Sequence, residues 1–166
     1  MEQRKIYRLS LPMIGIFMVF GILILFINIL ALRDALNEGL WDVLMFGGLI
    51  FIFPLPFIGY AIYLWRKRKE GRGFYWDDEG VVIDLDDNKV YWEEIESIQL
   101  YSGYKSGLSK ATVIHPHYTN HEKIRERRKK WMPTPAHSID WFMIEKPEEY
   151  HESVMKAWGE RRHLFK

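Results

Sequence analysis

The chain has 166 residues, no cysteine, and 23 Lys and Arg against 22 Asp and Glu, a formal net charge of +1. The lack of cysteine excludes disulfides and thiolate metal sites and suits a domain facing a reducing cytosol. The charge balance identifies no partner, because it averages an apolar front over a densely charged back.

Residues 1–9 carry Arg4, Lys5 and Arg8. They look like the basic start of a signal peptide, but the apolar run behind them, 10–32, far exceeds the roughly 7–15 residues of a signal-peptide core. A second uncharged run, 43–65, follows a short loop at 33–42. Each run is about 23 residues, or roughly 35 Å as helix, enough to cross a hydrocarbon core of about 30 Å. The two are expected to form a retained hairpin of transmembrane helices. Arg66, Lys67, Arg68, Lys69 and Arg72 follow the second run in a basic juxtamembrane linker, 66–72, whereas the loop sets Arg33 against Asp34, Glu38 and Asp42. Basic residues stay on the cytoplasmic side, so both termini are expected in the cytoplasm of a multi-pass plasma-membrane protein. Trp41, Tyr60, Tyr63 and Trp65 fit interfacial belts. Pro54 and Pro56 interrupt the second run, which reads as a bent anchor with Asn28 bonding across the hairpin.

Beyond Gly71 and Gly73 the period changes to that of strands, and 73–166 is expected to be a cytoplasmic domain. Val81, Ile83 and Leu85 alternate with Val82, Asp84 and Asp86, turns fall at Asp78-Glu79-Gly80 and Asp86-Asp87-Asn88, and Val90-Tyr91-Trp92 returns as the second strand of a hairpin. Ile98 and Leu100 begin a further strand, and 111–114 and 138–144 read as others, the last with Ile139, Trp141 and Met143 on one face. A terminal helix starts at Pro147, with Glu148 and Glu149 at its positive end and Arg161, Arg162 and His163 at its negative end. Tyr150, Val154 and Trp158 are spaced to pack on the sheet.

The strand-turn-strand leading into Tyr91-Trp92-Glu93-Glu94-Ile95-Glu96-Ser97-Ile98 resembles the bacterial pleckstrin-homology-like domains attached to short membrane segments. The resemblance covers about 73–100 and the final helix. It implies a small, mainly-β domain closed by a C-terminal α-helix, with Trp92 and Ile95 plugging the core, and a role in envelope stress or peptide-bacteriocin immunity. The long insertion at about 116–135 departs from the pattern.

That insertion holds Lys123, Arg125, Arg127, Arg128, Lys129, Lys130 and Trp131, with Glu126 among the cations. Tethered near the inner leaflet, such a cluster is expected to contact anionic lipid head groups, where each cation contributes about 1 kcal/mol and tryptophan suits the interface. A solvated helix face, or a protein or nucleic-acid patch, is the competing reading of the same charges. The expected partners are lipid and an unidentified protein, without nucleic acid. His115, His117, His121 and His137 are the one hint of metal chemistry, but the second histidine of an HExxH helix is missing after His121-Glu122. The acids at 77–79, 84–87 and 93–94 fall at turns and do not follow a calcium-loop pattern. Gly103 and Gly107 lack the context of a phosphate loop and read as a hairpin tip.

The sequence therefore predicts a membrane-anchored, non-enzymatic interaction module with no cofactor, no metal and no catalytic residue. Two alternatives stay open: a subunit of a larger transport or secretion complex, contacting it through Asn28 and the Pro54/Pro56 bend, and a membrane enzyme with a metal on His115, His117 and His121.

Overall fold

The computed structural model describes residues 5–35, 39, 52–103 and 110–164. Two compact units make up the chain: Leu11–Glu70 is one, and Met1–Ser10 together with Gly71–Lys166 is the other.

The first unit is helical. Helix α1, Leu11–Ala35, is long and apolar enough over Leu11–Arg33 to cross a membrane. Over Leu11–Arg33 only Met13, Ile14 and Gly21 are buried within the protein, unlike the core helix of a soluble domain, and Ile16, Val19, Ile22, Phe26 and Ile27 all lie exposed. Helix α2, Pro54–Lys69, packs against it antiparallel: Phe17 meets Tyr60 edge-on at 5.3 Å, and Phe20 meets Phe57 at 5.2 Å. Gly21 permits this approach, since a Cβ there would lie 2.6 Å from Ile58 Cγ1 and 3.1 Å from its backbone nitrogen. Pro54 and Pro56 occupy the first turn of α2, where a missing N–H has no helical acceptor to lose. Ile52 before them is helical and Phe53 is a turn with right-handed helical backbone, so the prolines stand at a break between helical segments, and the part of the expected bend before Ile52 lies outside the described residues.

Of the second run, 43–51 lie outside the described residues, as do Trp41 and, Gly39 excepted, 36–42 of the expected loop. Arg33 still belongs to α1. The expected linker is different in form. Arg66, Lys67, Arg68 and Lys69 are the last turn of α2, where cations complement the helix dipole, and the Glu70 N–H closes it on Arg66 O at 2.9 Å.

The second unit is a mainly-β domain with small sheets and a C-terminal helix. Its first strand comes from before α1. Strand β1, Tyr7–Arg8, pairs antiparallel with β2, Gly73–Phe74, setting Tyr7 opposite Phe74 and Arg8 opposite Gly73. Gly73 is required by this contact, because a Cβ would fall 2.4 Å from Tyr7 O. Leu9 bridges to Ile144, Ser10 N–H donates to Met143 O at 2.9 Å, and Glu145 N–H donates to Arg8 O at 2.8 Å. Tyr7 and Leu9 are buried, and the Tyr7 ring meets Tyr150 at 5.1 Å. The segment expected as a separate cytoplasmic terminus is therefore a structural part of the domain, which is not confined to 73–166.

Strands β3, Gly80–Val82, and β4, Lys89–Tyr91, form an antiparallel hairpin. Its turn is held by Asp84, whose carboxylate accepts from the N–H groups of Asp86 and Asn88 and from the Asn88 side chain. A 3-10 turn at Trp92–Glu94 leads into a three-stranded antiparallel sheet of β5, Ile95–Ser102, β6, Lys110–Pro116, and β7, His137–Asp140, in that order. The connection expected as a flexible tip, 104–109, lies outside the described residues. Between β6 and β7 stands α3, His121–Arg128, and the domain ends in α4, Pro147–Arg161. The strand expected at 138–144 stops at Asp140, after which Trp141–Met143 makes a 3-10 turn. Of the two expected core plugs Trp92 is buried, with Val81, Val82, Ile98, Ile114, Ile139, Tyr150 and Val154, whereas Ile95, the first residue of β5, is only half-buried. On α4 the third core position is Ala157; Trp158 is half-buried, with Arg162 over its ring at 5.7 Å.

Candidate functional site

The basic insertion folds as α3 and the segment after it. Ile124 is the buried residue of α3 and fixes which face turns inward. The helix ends at Lys129, whose left-handed backbone (φ 51°) reverses the chain, with Lys130 N–H donating to Arg125 O at 3.2 Å.

Folding divides the seven residues expected at the membrane surface into two groups. The first is engaged within the domain. Arg127 forms a two-pronged pair with Glu94, Nη1 to Oε1 at 2.7 Å and Nη2 to Oε2 at 2.5 Å, while its guanidinium covers the Tyr91 ring at 4.5 Å and Nη2 donates to Lys89 O. Lys123 stands 3.7 Å from the same carboxylate. Arg125 donates to Glu122 at 2.6 Å. Arg128 bridges Asp84, at 3.3 Å, and His137 Nδ1, at 3.1 Å. The second group is Lys129, Lys130 and Trp131, all exposed; Trp131 is 91% accessible and Met132 beside it 62%.

Glu94 is the residue that sequence reasoning missed. It reads as one more turn acid, yet it is 1% exposed and receives Arg127, Lys123 and the Tyr91 N–H. Burial works to raise its carboxyl, and the Arg127 bonds, the Tyr91 N–H and the charges of Arg127 and Lys123 outweigh it, so it titrates below the ordinary range. Arg127 is held correspondingly further into its charged form by the Glu94 bonds.

The histidines are dispersed. His117 Nδ1 lies 2.8 Å from Thr119 Oγ1, and His121 Nε2 donates to Pro116 O at 3.2 Å. His137 is buried on β7; burial first, then the Arg128 charge, pushes its pKa down to about 4, so the neutral ring accepts from Arg128. Among the described residues no three His, Cys, Asp or Glu side chains are placed to share a metal ion. Other acids serve turns: Asp77 accepts the N–H groups of Glu79 and Gly80 and pairs with Lys89 at 2.6 Å.

On the helical unit, Lys67 and Lys69 lie over the rings of Tyr63 and Trp65 at 5.5 and 4.0 Å, an arrangement of cation above amphipathic ring suited to an interface. Arg72, the last basic residue of the expected linker, belongs to the β-domain and pairs with Asp87 at 2.5 Å.

No protein-family model matches the chain, and no curated protein or solved structure is significantly similar to it.

Proposed function

We propose that this protein is a membrane-anchored interaction module in which a two-helix transmembrane hairpin is inserted into a cytoplasmic, pleckstrin-homology-like β-domain. Its work is positional rather than catalytic: the hairpin holds the domain at the inner leaflet, where it contacts anionic lipid and recruits a protein partner.

The observation that carries this reading is the pairing of Arg8 with Gly73. The chain leaves the β-domain at Ser10 and re-enters it at Gly71 on neighbouring strands, so both points lie on one side of any membrane. If α1 crosses, the chain must cross back before Gly71, and the run at 43–65 is the segment with the length and composition to do so. The antiparallel packing of α2 on α1 supports the same topology, and the cations at the end of α2 favour the cytoplasmic side for that end.

The absence of cysteine makes the test direct. In intact cells, a membrane-impermeant thiol reagent is expected to label Glu38→Cys from outside and to reach Glu160→Cys only after permeabilisation. Labelling of both from the same side would refute the hairpin.

A further inference from the structure

We propose that Lys129, Lys130, Trp131 and Met132 form a finger that docks on an anionic bilayer surface, the lysines on the head groups and Trp131 in the interface. This rests on the reading of the protein as membrane-anchored, and it narrows the lipid contact from the whole basic insertion to four residues.

Charge complementarity comes first. The α3 cations are answered within the domain: Arg127 and Lys123 by Glu94, Arg125 by Glu122, and Arg128 by Asp84. Among the described residues no side chain pairs with Lys129 or Lys130, so the unpaired positive charge of the insertion is concentrated at these two. Each lysine near an anionic leaflet is worth about a fivefold change in binding, roughly thirtyfold for the pair. Next to them stand the most exposed tryptophan of the domain and an exposed methionine. Tryptophan prefers the depth of the head groups, where its ring is apolar and its N–H stays wet.

The base of the finger is fixed, which limits the ordering that docking requires. The left-handed turn at Lys129 is one that side chains other than glycine adopt at a cost, and it is held by Lys129 N–H on Glu126 O at 3.1 Å and by Arg125 Nη1 on Lys130 O at 3.4 Å. Arg127 and Arg128 then bind α3 to the 3-10 turn at Glu94, to Asp84 and to β7. Pro133 and Pro135 restrict the chain beyond. The α3 cations thus act as positioning residues for a contact made by their neighbours.

The test uses the full chain in nanodiscs of neutral or partly anionic lipid, with a fluorophore on Met132→Cys and, separately, on Val19→Cys of α1. In anionic discs at low salt, the Met132→Cys label is expected to be reached by a lipid-soluble quencher and shielded from an aqueous one. That pattern should be lost in neutral discs, at high salt and with Lys129→Glu/Lys130→Glu, and kept with Lys156→Glu, a charge reversal at an exposed cation of α4 outside the finger and its base. A label quenched from water in anionic discs overturns the finger, and one shielded from both quenchers overturns it in favour of a protein covering the tip. The Val19→Cys label separates the two levels of inference: lipid-phase quenching there keeps the anchored reading whatever Met132 reports, and aqueous quenching removes it and the finger together.

Discussion

Residues 71–166 produced alone are expected to be unfolded or marginal, whereas residues 1–10 joined to 71–166 through a short flexible linker should fold as a soluble domain. The segment before α1 supplies two buried core residues, Tyr7 and Leu9, the pairing of β1 with β2, and the backbone bonds from Ser10 to Met143 and from Glu145 to Arg8. Burying a large apolar side chain contributes about 2 kcal/mol, so Tyr7 and Leu9 together provide about 4 kcal/mol. A domain of this size has a total stability of only about 5–15 kcal/mol. Losing the segment also uncovers one face of Tyr150, which packs its fully buried ring on Tyr7. A short linker suffices in the joined form because Arg8 and Gly73 already face one another across a ladder. Urea unfolding followed by tryptophan fluorescence gives the comparison. A cooperative transition in 71–166 at the same midpoint as in the joined form would show β1 to be dispensable. Leu9→Ala in the joined form is the milder check, with an expected loss of about 2–4 kcal/mol.

That strand shows where sequence reasoning reached its limit. An apolar run of α1's length announces itself through composition, and the ends of α4 through Pro147, Glu148, Glu149 and Arg161, because these signals are local. A two-residue strand has no period to read, and its partner lies beyond the whole helical unit. Alternation misled at β3 for a related reason. Val81 and Val82 are both fully buried, since that strand is covered on both faces, and only the tertiary structure supplies the second cover. The basic insertion was legible as charge and not as pairing. Arg127 meets Glu94 and Arg128 meets Asp84 across separations of 33 and 44 residues, so nothing in the local pattern distinguished these cations from Lys129 and Lys130. Trp92 was legible from its place in the 91–98 block at the strand end, but the same position does not guarantee burial, since Ile95 of that block and Trp141 at the end of β7 are only half-buried.

Glu94→Gln is expected to destabilise the β-domain by about 3 kcal/mol, out of proportion to the loss of one charge in what reads as an acidic turn. Removing one member of a buried ion pair leaves the other desolvated and unanswered, a loss of about 3–5 kcal/mol when both are fully buried. Arg127 retains some solvent contact, which argues for the lower end. Arg127→Ala should be of similar size, and Glu94→Met with Arg127→Leu should recover much of the loss, because an apolar pair of similar volume has no charge to strand. The pH dependence follows from the direction of the Glu94 shift. Its folded-state carboxyl lies below the unfolded value of about 4.3, so the pair contributes fully above that value and its contribution is lost as pH falls through the depressed folded one. Asp77 is also held low, with Lys89 and two N–H groups outweighing the effect of its burial, so acid unfolding of the parent domain alone does not isolate Glu94. The difference in unfolding free energy between parent and Glu94→Gln does, and it should shrink toward zero in that acid range and stay constant from there to neutrality. A difference under about 1 kcal/mol at neutral pH would class the pair with exposed salt bridges. In that case Glu94 would not be what fixes α3 to the 3-10 turn, and the base of the finger would rest on Arg128 with Asp84 and His137 and on the turn at Lys129.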